Sequence, residues 1–153
     1  MLSRSLRVLL LTFTLSGLAV PADKRVIAPP GTAANRPFSE GLLVGDTLYV
    51  SGKTGNTADG KIPEDFEAEV QQTLDNIGKV ITEAGMSFAD AVSVQVYLTD
   101  MSLFSRMNTV YMKVFTEPRP TRTTVGVAKL VGTARIEITV TARQGAKSSK
   151  KKK

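Results

Sequence analysis

The sequence predicts an α+β fold, with two helices packed on one face of a mixed β-sheet. Three observations predict it. Two segments carry apolar residues at spacings of three and four on one side only. Several others alternate apolar with polar residues over strand-sized lengths. Their order is strand, hairpin strands, helix, strand, helix, strand, strand, which suits one sheet covered by helices. The chain of 153 residues is 42% hydrophobic and 22% charged, the composition of one domain with a true core.

The elements follow in chain order. Lys24 to Ala28 reads as an edge strand, ended by Pro29, Pro30 and Gly31. LLVGDTLYVSG reads as a hairpin, because apolar runs flank the two-residue turn Gly45–Asp46. Ser51–Gly52 closes its second strand, and the polar KTGNTADGKI that follows is a loop. PEDFEAEVQQTLDNIGKVITEAG is the first helix. Pro63 suits its first turn, and Glu64, Asp65 and Glu67 suit the positive end of the helix dipole. Phe66, Val70, Leu74, Ile77 and Ile81 form its apolar stripe, and Gly85 stops it.

AVSVQVYLTD alternates, with Val92, Val94, Val96 and Leu98 on one face and Ser93, Gln95 and Tyr97 on the other. MSLFSRMNTVYMKVF is the second helix, with Leu103, Met107, Val110 and Val114 along one side. TTVGVAKL and RIEITVTAR then read as two strands joined by VGTA. The helix-free sheet face would carry Ser93, Gln95, Tyr97, Glu137, Thr139 and Thr141. Such a face is either solvated or the inner wall of a symmetric oligomer.

Three regions divide the chain. Residues 1–22 join a basic start to a 13-residue apolar run and a small-residue site at Ala22, the pattern of a secretory signal peptide. That pattern implies a secreted or periplasmic protein, the alternative being a mitochondrial presequence. The run is short for a transmembrane span, so no stable membrane insertion is expected after its removal. Residues 23–144 form the folded domain. Residues 145–153 form a lysine-rich tail expected to be disordered.

Charge and composition exclude several chemistries. Seven of the 20 basic residues lie in the leader and the tail, so 13 remain in residues 23–146 against all 14 acids. A basic groove for specific nucleic-acid binding is not expected. The chain has no cysteine and no histidine, which removes the usual zinc sites, and with them any expected metal. Nucleophile pairs that need histidine are removed as well. Carboxylates, lysines and tyrosines remain for acid–base work.

Within EPRPTRTTVGVA, prolines stiffen the approach to a strand whose mouth holds Arg122. Arg122 is either a solvated arginine or a rigid two-pronged grip for a carboxylate. Glu137 projects from mid-strand onto the polar face, either as an exposed strand residue or as a proton shuttle at a subunit seam. Asn108 on the second helix and Ser51–Gly52 at a strand end are weaker candidates. Lys53 reads as an exposed lysine. If VGTA pairs Leu130 with Arg135, Glu137 lies opposite Ala128, on the face of Arg122 but about 20 Å along the strand from it. One site using both groups then lies between subunits.

Taken together, RPFSEG, LYVSGK, QQTLDNI, DMSLFSRMNTVY, PTRTTVGVA and RIEITV resemble the reactive-intermediate (enamine/imine) deaminase family, RidA/YjgF-like, over about residues 27–143. The resemblance implies a chorismate-mutase-like fold and a homotrimer whose sheets form a central barrel. It implies hydrolysis of 2-aminoacrylate and related 2-imino acids to 2-keto acids and ammonia, without a cofactor. It places the substrate-carboxylate arginine at Arg122 and the water-activating glutamate at Glu137. Phe38, Ser51, Gly52, Asn108 and Thr124 fall on substrate-binding positions. The family's usual tyrosine, glutamine and cysteine are replaced here by Phe38, Lys53 and Thr124. The alternatives are a non-catalytic trimeric binding module for small keto or imino acids and an RNA-cleaving relative.

Overall fold

The computed structural model describes residues 23–146. The predicted leader and residues 147–153 of the tail lie outside the described residues. Six strands form one sheet: β1 (Lys24–Ile27), β2 (Gly41–Val44), β3 (Thr47–Lys53), β4 (Ala91–Leu98), β5 (Thr121–Gly126) and β6 (Ile136–Arg143). Their order is β1-β2-β3-β6-β4-β5, antiparallel throughout except for the parallel pair β4–β5. The helices are α1 (Phe66–Glu83) and α2 (Phe104–Val114). The expected α+β architecture is therefore present. Among the described residues no helix is long and apolar enough to cross a membrane.

The hairpin β2–β3 turns at Gly45–Asp46 as expected, with Gly45 at φ 59°, a conformation glycine adopts at little cost. In α1 the whole predicted stripe is buried: Phe66, Val70, Leu74, Ile77 and Ile81 are at most 1% exposed. It packs on Leu48, Val50, Val94, Val96, Ile138 and Val140 from the sheet. Each such side chain contributes about 1.5–3 kcal/mol. The start of α1 differs from expectation. Pro63 and Glu64 precede the helix, and Asp65 is its N-cap, its carboxylate accepting from the Ala68 N–H at 2.8 Å. The Pro63 and Glu64 carbonyls accept instead from the Arg135 guanidinium.

Two expectations for the strands are corrected. Val92 does not share the core face of Val94, because a register shift between Ala91 and Ser93 turns it outward and puts Ala91 inside. The strand 123–130 and the VGTA hairpin do not form either. β5 ends at Gly126 and pairs with β4, while both edges of β6 are taken by β3 and β4. Arg122 therefore pairs with Val94, and Glu137 pairs with Tyr97. Val94 points into the core, so Arg122 lies on the helix-covered face, whereas Glu137 lies on the polar face. The polar face itself is as expected: Ser93–Thr141, Gln95–Thr139 and Tyr97–Glu137 are partners across β4 and β6.

Candidate active site

One cluster forms where β5 meets α2. Arg122 is the second residue of β5 and runs beneath the helix. Its Nη1 donates to Asn108 Oδ1 at 2.8 Å, and the guanidinium carbon sits 4.5 Å from the Tyr111 ring centroid and 5.5 Å from that of Phe104. Asn108 and Tyr111 are three residues apart, on one face of α2. Nη1 also meets Met107 Sδ at 4.0 Å, whereas Nε and Nη2 have no hydrogen-bond partner among the described residues, and Arg122 lines a cavity of about 410 Å³. A planar fork fixed on one side, with donors left on the other, suits a carboxylate. Thr124, two residues along β5, shares the face of Arg122. Its hydroxyl and that of Tyr111 are buried without a hydrogen-bond partner of ordinary geometry. Tyr111 was not among the residues expected here, because its nearness to Arg122 follows from how α2 packs over β5.

A second cluster forms on β3. The ladder to β6 slips between Val50–Val140 and Lys53–Ile138, which leaves Ser51 and Gly52 in a bulge. The Glu137 carboxylate lies directly over Gly52, where a Cβ would meet its Oε1 at 1.9 Å. Only glycine leaves room for that carboxylate. Gly52→Ala is expected to push the Glu137 carboxylate off this position with little loss of stability, because the atom it meets first is the far end of a flexible side chain; urea unfolding and a structure of the variant check both. The Ser51 hydroxyl donates to the Ser39 carbonyl at 2.6 Å, and this bond anchors the segment carrying the exposed Phe38.

Lys53 is not the exposed lysine expected. The bulge puts it on the side of Ile138, and its side chain is 11% exposed in contact with Glu40, which also pairs with Arg36. Burial first, and the Arg36 charge second, push its pKa down to about 8. The Glu40 carboxylate opposes both. Between pH 8 and the unfolded value near 10.5, the unfolded chain binds more protons at this residue than the folded one. Stability from this group therefore rises with pH across that window. Urea unfolding at pH 8 and 10 should show the rise, at most about 2 kcal/mol, and Lys53→Gln should remove it.

A family model described as Endoribonuclease L-PSP matches residues 29–144. The chain belongs to the RidA/YjgF/RutC (Endoribonuclease L-PSP) family. Among the relatives of this RidA/YjgF/RutC chain, a 2-iminobutanoate/2-iminopropanoate deaminase of Bos taurus is 38% identical over 115 residues, covering 74% of this chain and 84% of that one. A RutC family protein of Sulfurisphaera tokodaii is 37% identical over 115 residues, covering 71% and 89%. The crystal structure of E. coli TdcF with bound serine superposes with a TM-score of 0.72 at 30% identity, covering 78% of this chain and 98% of that one.

Of the expected site residues, this family member brings Arg122, Asn108 and Thr124 together at β5 and α2. It brings Gly52 and Glu137 together at the β3 bulge, with Ser51 and Phe38 nearby. It does not bring Arg122 and Glu137 together, because they lie on opposite faces of the sheet.

Proposed function

We propose that the protein hydrolyses small 2-imino acids, of the 2-iminopropionate and 2-aminoacrylate type, to 2-keto acids and ammonia. The observation that carries this reading is the half-buried Arg122 guanidinium, held by Asn108 and two aromatic rings with unpaired donors facing an open cavity. Relatives at 38% identity carry the name 2-iminobutanoate/2-iminopropanoate deaminase, and the TdcF structure holds a small amino acid. RNA cleavage is less well supported, since residues 23–146 carry no excess of basic side chains and the chain has no histidine.

In the proposed reaction Arg122 binds the substrate carboxylate, and Asn108 and Thr124 border the imine. Glu137 orders a water and takes a proton as that water adds to the imine carbon. That proton passes to the imine nitrogen to give a carbinolamine, whose hydroxyl proton Glu137 then carries to the amine as the C–N bond breaks, leaving keto acid and ammonia. Orientation and charge placement supply most of the acceleration, and no covalent intermediate or cofactor is needed.

Because Arg122 and Glu137 occupy opposite faces of one sheet, we propose that each site is completed between subunits of a homotrimer, Arg122 from one and Glu137 from another. Glu137→Gln is expected to lower kcat by about 10²–10⁴ while still binding 2-oxobutanoate. Mixing it with Arg122→Ala during refolding tests the assembly. Random trimers would restore about a quarter of the wild-type activity from two inactive parents. Mixed trimers as inactive as their parents would place both groups in one chain's site, and full activity in Glu137→Gln would remove that residue from the reaction.

A further inference from the structure

The cavity in front of Arg122 holds a second cation that a small monocarboxylic substrate leaves unused. Its lining is Asn108, Tyr111, Met112, Arg119, Pro120 and Arg122, two guanidiniums with no acid among them. Arg119 stands between Pro118 and Pro120, whose rings fix their own φ and bias the residues before them, so its backbone is stiff. Both cations act on one point. Burial pushes the Tyr111 hydroxyl up in pKa, while Arg122 and Arg119 both pull it down. That hydroxyl belongs to a residue 2% exposed, and it has no hydrogen-bond partner of ordinary geometry. Arg119 pairs within the chain with Glu117, a largely exposed residue two positions away. Such a pair is worth at most about 1 kcal/mol, so a ligand carboxylate replaces it at little cost.

We infer that Arg119 is a specificity residue that selects 2-imino and 2-oxo acids carrying a second carboxylate at the far end. The first carboxylate meets Arg122, and the second meets Arg119. This rests on the reading of Arg122 as a carboxylate grip. Its test is calorimetric titration of the full chain, at about physiological salt, with 2-oxobutanoate and with 2-oxoglutarate. The dicarboxylate is expected to bind about tenfold more tightly, the yield of one charge-assisted contact at a half-exposed guanidinium. Arg119→Gln should bring the ratio of the two affinities to about one, and Arg119→Lys should keep part of it. A ratio of one in the wild type, or a ratio that Arg119→Gln does not change, overturns the role of Arg119 and leaves the monocarboxylate site standing. Failure of both ligands to bind overturns the Arg122 grip as well.

Discussion

Arg122→Ala is expected to weaken binding of 2-oxobutanoate by about a hundredfold, with a comparable loss in kcat/KM for the imine. The magnitude follows from losing a two-pronged, charge-assisted contact in a partly desolvated place, about 3 kcal/mol. Arg122→Lys should recover only part of it. A lysine ammonium is a point charge without the planar fork, and it would lose the stacking on Tyr111 and Phe104. Titration of both variants checks this. The fold should survive Arg122→Ala, since the guanidinium makes one strong hydrogen bond, to Asn108, and stands on an edge strand.

Glu69→Ala is expected to have the largest effect on stability, about 3–5 kcal/mol in urea unfolding. The Glu69 side chain is fully buried on α1, one carboxylate oxygen accepting from the Arg135 backbone N–H at 2.7 Å and the other from Arg135 Nε at 2.6 Å. Arg135 in turn reaches the Pro63 and Glu64 carbonyls and packs against the Phe66 ring. This one pair ties the start of β6 to the start of α1. Removing the acid strands a partly buried guanidinium and a backbone N–H. Replacing both partners by methionine should be milder than Glu69→Ala alone, because no uncompensated charge remains.

Glu69 also shows where reading the sequence stops. An acidic residue in the first turn of a helix is explained by the helix dipole alone, so nothing in its neighbourhood announces a partner 66 residues later. Lys53 escaped for a related reason. Its burial depends on a single extra residue in β3, and strict alternation places it on the wrong side. The legible parts were those set by local periodicity: the α1 stripe, the Gly45–Asp46 hairpin and the polar face of β4 and β6. Pairing between strands was not legible, since alternation fixes which face a residue takes and says nothing of its neighbour. TTVGVAKL alternates equally well beside β6 or beside β4. Its placement on β4 carries Arg122 to the helix side, the opposite of the expected register. The expectation of a site between subunits thus rested on a wrong pairing, and the opposite-face arrangement now supports it on other grounds. Arg122 and Asn108, both singled out from the sequence, do meet in one cluster, whereas the nearness of Tyr111 and Arg119 follows only from the packing of α2 over β5.

The most direct test of the central proposal is ammonia release from 2-iminopropionate, generated in place by an amino-acid oxidase, with the wild type and Arg122→Ala compared at equal folded concentration. Acceleration above the spontaneous rate by the wild type, reduced by about a hundredfold in Arg122→Ala, is the predicted result. Acceleration that persists undiminished in Arg122→Ala, or none from the folded wild type, would contradict it.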